Sequence, residues 1–157
     1  MGLLFCLCLA LSFIEYNLLP PLAIPGVKLG LSNVPIMYAV LFEGASSSFI
    51  LGVLKSIFVL LTRGGVAGAL SLSGGMLSIF GMLLGKRAFE GKGLIALSSV
   101  GGLLHSTGQI LCAMAILSSG RLIYLAPAII AFGGVFGAIT GAVFKALLPY
   151  INNIKKT

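Results

Sequence analysis

Six apolar runs, at about 1–18, 33–42, 45–62, 66–85, 94–118 and 122–148, take up nearly the whole chain and leave only short breaks between them. A bilayer core of about 30 Å is crossed by roughly 20 helical residues, so six such spans need about 120 residues. Hydrocarbon offers no partner to a backbone N–H or C=O, and a helix satisfies those groups within one segment. Composition removes the soluble alternative: 59% of the residues are hydrophobic and 8% are charged, where a soluble domain carries about 25%. The sequence therefore predicts an all-α, polytopic membrane protein with six transmembrane helices, forming one integral membrane domain over residues 1–157.

The breaks are as informative as the runs. Pro20, Pro21, Pro25 and Gly26 cluster before the short second run, where proline and glycine favour a structured loop over helix. Ser32 or Asn33 can cap the helix that follows, with Pro35 in its first turn, where a missing N–H costs little. That helix is expected to run to Glu43. The stretch Met1 to Ile14 has the apolar core of a signal peptide. It has no Lys or Arg before Lys28 and no small-residue cleavage site, so it reads as a retained first helix.

The net charge of +7 would suggest nucleic acid in a soluble protein. Here the basic residues sit mostly beside apolar runs and act as topology signals and lipid headgroup contacts, with no nucleic-acid partner implied. Lys86, Arg87, Lys92, Lys155 and Lys156 fall on one side, and Lys28, Arg63 and Arg121 on the other. The first group is expected in the cytoplasm of a cell-membrane protein, with both termini inside. Cys6, Cys8 and Cys112 contain no C-x-x-C pair and read as small buried hydrophobes.

Absent residues limit the chemistry. There is no Asp, and Glu15, Glu43 and Glu90 are too far apart for a paired-carboxylate or magnesium site. Gly81-Met-Leu-Leu-Gly85-Lys86-Arg87 is one residue short of the Walker spacing and lacks its Ser or Thr. One histidine excludes bis-histidine haem within the chain. The reading is of a non-enzyme with no catalytic residue, no metal and no cofactor.

What remains is a set of polar groups inside apolar spans. Lys55 precedes Arg63 by eight residues, Ser73 follows Val66 by seven and Gln109 precedes Ser118 by nine, which places all three roughly 10–14 Å below the outer face. His105 lies one helical turn from Gln109 on the same face. Intramembrane charge is expensive and usually faces a cavity or partner, so Lys55 is the strongest candidate for ligand contact. Lys28 and Asn33, a cation beside a helix start, form a weaker anion site. Each has a purely structural alternative: snorkelling for Lys55, contacts between helices for His105 and Gln109, and a bond to its own backbone for Ser73. Gly133, Gly137 and Gly141, and Gly81 with Gly85, form small-residue stripes that favour internal packing over a partner surface.

At Ile24-Pro-Gly-Val-Lys-Leu-Gly-Leu-Ser-Asn33, the basic Lys55, Ser71-Leu-Ser-Gly-Gly-Met-Leu-Ser78 and His105-Ser-Thr-Gly-Gln109, the chain resembles the membrane family called heptaprenyl diphosphate synthase component I, or Gx transporter family. That family is in turn similar to substrate-binding S components of energy-coupling-factor transporters, with six helices and a ligand pocket in the outer half. The resemblance implies a transmembrane T component and a cytoplasmic ATPase pair as partners. It also implies a small vitamin-, flavin-, quinone-precursor- or isoprenoid-like ligand, and a coupling patch on the first helix. The nearest equivalents of that patch are the pairs Cys6 with Ala10 and Cys8 with Ser12. The alternative is a noncatalytic membrane subunit associated with heptaprenyl diphosphate or quinone synthesis, or with an extracellular electron-transfer assembly.

Overall fold

Helices surrounded by apolar side chains approach most closely where those side chains are smallest, and the glycines organise this bundle. The computed structural model describes residues 1–18, 30–89, 93–118 and 120–154. Among them six helices follow in order: α1 (Gly2–Leu18), α2 (Leu31–Glu43), α3 (Ala45–Arg63), α4 (Gly65–Phe89), α5 (Leu94–Leu117) and α6 (Ala126–Ile154). No strand occurs among the described residues, so the expected all-α architecture holds. The helices α3 to α6 are long and apolar enough to cross a membrane; α1 and α2 are apolar but shorter. At 1.5 Å per residue, α1 extends about 25 Å and α2 about 20 Å.

The short α2 is buried on most sides: Val34, Ile36, Met37, Ala39 and Val40 are all inside. It changes winding along its length, from a 3-10 turn (Leu31–Asn33) through a single α turn (Val34–Tyr38) to a π turn (Ala39–Glu43). The wide last turn closes when the Gly44 N–H donates to Ala39 O at 3.0 Å. Lys86, at the end of α4, donates from Nζ to Val40 O at 3.1 Å and Leu41 O at 2.8 Å. Irregular backbone at membrane depth survives only where protein surrounds and satisfies it. Lys86, expected as an orientation signal, thus also completes the end of α2.

Helices α4, α5 and α6 pack antiparallel with their backbones in near contact. A methyl group at Gly102 of α5 would strike Gly133 O of α6, and one at Gly137 would lie 2.5 Å from Ser98 O. Between α4 and α5, a methyl at Gly74 would fall 2.7 Å from His105 O and one at Gly108 2.7 Å from Ser73 O. Ser99 Oγ on α5 donates to Gly134 O on α6 at 2.9 Å. The Gly133, Gly137 and Gly141 stripe is consumed by this internal seam, with Gly141 against Ile95 and Ser98. Gly64 alone joins α3 to α4, at φ 89°, a value that favours glycine. The apolar core, including Cys8, Met37, Val40, Leu51, Ile79, Leu97 and Phe144, gathers α1 to α6 around α2.

Candidate functional site

Polar side chains on an apolar helix are tolerated when they share a face that looks into the bundle, and all six helices here present polar side chains to one cavity, α6 through Thr140. On α1, Ser12 and Glu15 are buried in register with Cys8, one and two turns along the same face. On α3, Lys55, Val59 and Arg63 repeat every four residues and all line the cavity. The start of α2 contributes Ser32 and Asn33, α4 contributes Ser71 and Ser78, and α5 contributes His105 and Gln109. Glycines of the seam, including Gly102 and Gly137, form the opposite wall beside Phe136. The cavity has a volume of about 70 Å³. A single water needs roughly 10–15 Å³ of such space.

The hydrogen bonds organise the charged groups. Lys55, 7% exposed, donates from Nζ to Asn33 Oδ1 at 2.8 Å. Glu15, also 7% exposed, accepts from the Gly30 N–H on one oxygen and from Ser32 Oγ, at 3.3 Å, on the other. Cys8 Sγ donates to Ser32 O at 3.3 Å. Arg63 donates from Nη2 to Ser12 O at 2.6 Å and to Ser12 Oγ at 3.1 Å, and its guanidinium lies 4.4 Å from the centre of the Tyr16 ring. The first residues of α2 are thus tied to α1 by Glu15 and Cys8, and to α3 by Lys55.

Four of the six expected ligand residues, Asn33, Lys55, His105 and Gln109, meet at this cavity. Lys28 lies outside the described residues. Ser73 is not part of the lining; its hydroxyl donates to Leu70 O of its own helix at 3.2 Å, because it stands about 200° around α4 from the cavity-facing Ser71. Neither Ser32 nor Asn33 caps α2 through its side chain. Both side chains are instead drawn to buried charges, Ser32 to Glu15 and Asn33 to Lys55.

Of the pairs expected to offer a partner surface, Cys6 and Ala10 are exposed. Cys8 and Ser12 are buried, at 0% and 3% exposure, and engaged inside the bundle, so that pair presents no surface to another chain. Glu15 and Arg63 are the additions to the site. Both carried a signal in the sequence: Cys8, Ser12 and Glu15 form a polar stripe on an apolar helix, and Arg63 stands two turns above Lys55 on the same face. Among the described residues no group of three His, Cys, Asp or Glu side chains could hold a metal ion.

The sequence pattern of the family described as heptaprenyl diphosphate synthase component I matches residues 4–147. The chain belongs to this family. The match to heptaprenyl diphosphate synthase component I takes in every cavity residue named above, from Ser12 to Gly137. No curated protein and no solved structure matches the chain.

Proposed function

We propose that this member of the heptaprenyl diphosphate synthase component I family is a multi-pass subunit of the cell membrane that captures a small solute in the cavity at Lys55. Its resemblance to S components supplies the wider setting: a transmembrane T component and a cytoplasmic ATPase pair would move the captured ligand, and this chain would perform no chemistry. The observation that carries the reading is the placement of Lys55. A buried cation, held by a neutral amide and facing a polar cavity inside an apolar bundle, is costly to stability and is accounted for by a ligand.

In the orientation set by the basic residues, both termini are cytoplasmic. The end of the cavity that carries Glu15, Lys55 and Arg63 then faces the outer side, at the late turns of α1 and α3, while the lining reaches inward to Met82 and Ser98. The test is native mass spectrometry of gently solubilised protein, wild type against Lys55→Met. A small molecule bound to the wild type and lost from the variant is the expected result. Wild-type protein free of any ligand in every preparation would end the reading.

The family match favours a second reading, a noncatalytic membrane subunit in heptaprenyl diphosphate synthesis. With no Asp in the sequence, the chain has no Asp-rich magnesium motif of its own, and the catalytic part would belong to a partner. Copurification with a soluble prenyl synthase, and not with a T component, would favour it.

A further inference from the structure

The inner end of the cavity carries hydroxyls that the protein does not use for its own structure. A serine or threonine inside a helix ordinarily donates to the carbonyl one turn back, and Ser48, Ser56, Thr107 and Thr140 all do so here. Ser78 on α4 and Ser98 and Ser106 on α5 do not: among the described residues their hydroxyls make no hydrogen bond to another group of the protein. Each is more than nine-tenths buried, at 5%, 6% and 7% exposure, and each lines the cavity. Along α5, Ser98 stands about 12 Å further from the Arg63 end than Ser106 does, and along α4 Ser78 stands about 10 Å beyond Ser71 in the same direction. A methyl group at Gly101 would lie 2.9 Å from Met82 Sδ and 3.2 Å from Ser78 Oγ, so hydroxyl and thioether stand side by side over bare backbone.

We infer that this end of the cavity is a second, uncharged subsite, which takes a hydroxyl, carbonyl or amide group on the part of the solute remote from Lys55. A serine hydroxyl both donates and accepts, so the three recognise a polar group of either kind. Any water that meets them is replaced without loss only by a group that reproduces its hydrogen bonds. A prenyl chain offers none, and seated here it would bury three polar groups unpaired. Met37 and Met82 line the same end and supply adaptable apolar surface between the hydroxyls, which suits a ring or short chain that bears polar substituents. This inference rests on the cavity being the ligand site, as proposed above.

Resorcinol, an uncharged ring with two hydroxyls, is a suitable probe, read by thermal unfolding of the full chain in mild detergent. At concentrations ten times its Kd it is expected to raise the unfolding temperature of the wild type by roughly 3–6 °C. Lys55→Met should respond as much, and the triple variant Ser78→Ala, Ser98→Ala, Ser106→Ala should not respond. Without the probe, each single alanine variant is expected to melt at or above the wild type, since no bond within the protein is lost. Ser99→Ala, which gives up the bond to Gly134 O, is expected to melt roughly 2–4 °C lower. Single variants at Ser78, Ser98 and Ser106 that melt as low as Ser99→Ala would show these hydroxyls to be structural and overturn the inference. So does a wild type that resorcinol does not stabilise. A response lost in Lys55→Met and kept in the triple variant overturns the subsite and leaves Lys55 standing as a ligand contact, whereas a wild type that takes up neither resorcinol nor any copurifying small molecule removes the site itself.

Discussion

Lys55 on α3 donates to the side chain of Asn33 at the start of α2, at 2.8 Å and across 22 positions of the chain. The two residues are unequal partners. Removing the lysine leaves a buried amide oxygen unpaired, at about 1–3 kcal/mol. Removing the asparagine takes from a buried ammonium its one protein acceptor among the described residues, and a hydrogen bond to a charged group is worth about 1.5–3 kcal/mol.

Asn33→Leu should therefore lower the unfolding temperature more than Lys55→Met does. The double variant should be at least as stable as Asn33→Leu alone, because the stranded charge is gone. Thermal melts of the three proteins in one detergent decide it, and a double variant less stable than either single one would show that the pair is not coupled in this way.

Glu15→Gln keeps the shape of the side chain and replaces one acceptor oxygen with a donor. One of the two bonds to Gly30 and Ser32 must be lost, at about 1–2 kcal/mol. Amide hydrogen exchange at Gly30 to Asn33 is expected to accelerate roughly 5- to 30-fold, with exchange in α5 unchanged. Uniform acceleration across the bundle would argue against a local anchor.

Two glycine substitutions should part in sign. Gly102→Ala forces a methyl group against Gly133 O and should destabilise by about 1–3 kcal/mol, as overpacking does. Gly75→Ala meets nothing within 4 Å and should be neutral or stabilising by up to about 1 kcal/mol through helix propensity. Chemical or thermal denaturation in detergent measures both.

Lys86→Met should destabilise by about 1–3 kcal/mol, since the Val40 and Leu41 carbonyls lose their donor. Lys86→Arg should retain most of the stability. If Lys86 acted only as an orientation signal, the two variants would be equally stable.

Orientation itself is open to cysteine labelling in a background lacking Cys6, Cys8 and Cys112. Gly65→Cys, at the start of α4, should react with an impermeant maleimide from outside intact cells. Arg87→Cys, at the end of the same helix, should react only after the membrane is opened. The reverse pattern would invert the proposed topology.

Much of the site was readable from cost and depth. A charge or amide inside an apolar run is expensive, which singled out Lys55, His105 and Gln109, and rise per residue placed Lys55 and Gln109 at one level with Ser73, His105 standing one turn from Gln109. Depth carries no information about direction around the helix. Ser73 shares the level of Lys55, yet Ser71 and Ser78, seven residues apart on one face, are the serines of α4 that reach the cavity. Glu15 and Arg63 lie close enough to helix ends to pass as interfacial charges, and only the partner across the bundle, Ser32 in one case and Ser12 in the other, draws them inward. The winding of α2 was not legible at all. It depends on Lys86, 45 positions from Leu41, and no local pattern reports a donor that distant.

The glycine seam between α4, α5 and α6 bears on how such a protein could acquire a new ligand. Gly102 and Gly137 line the cavity and already touch the neighbouring helix, so any side chain added there pushes helices apart before it reaches a ligand. Selectivity cannot be retuned from that wall by enlarging residues. Variation that spares both the glycine seam and the bonds that hold α2 has most room at lining residues outside those two sets, such as Val59 and Ser78, and it is there that a redesign for a different solute should begin.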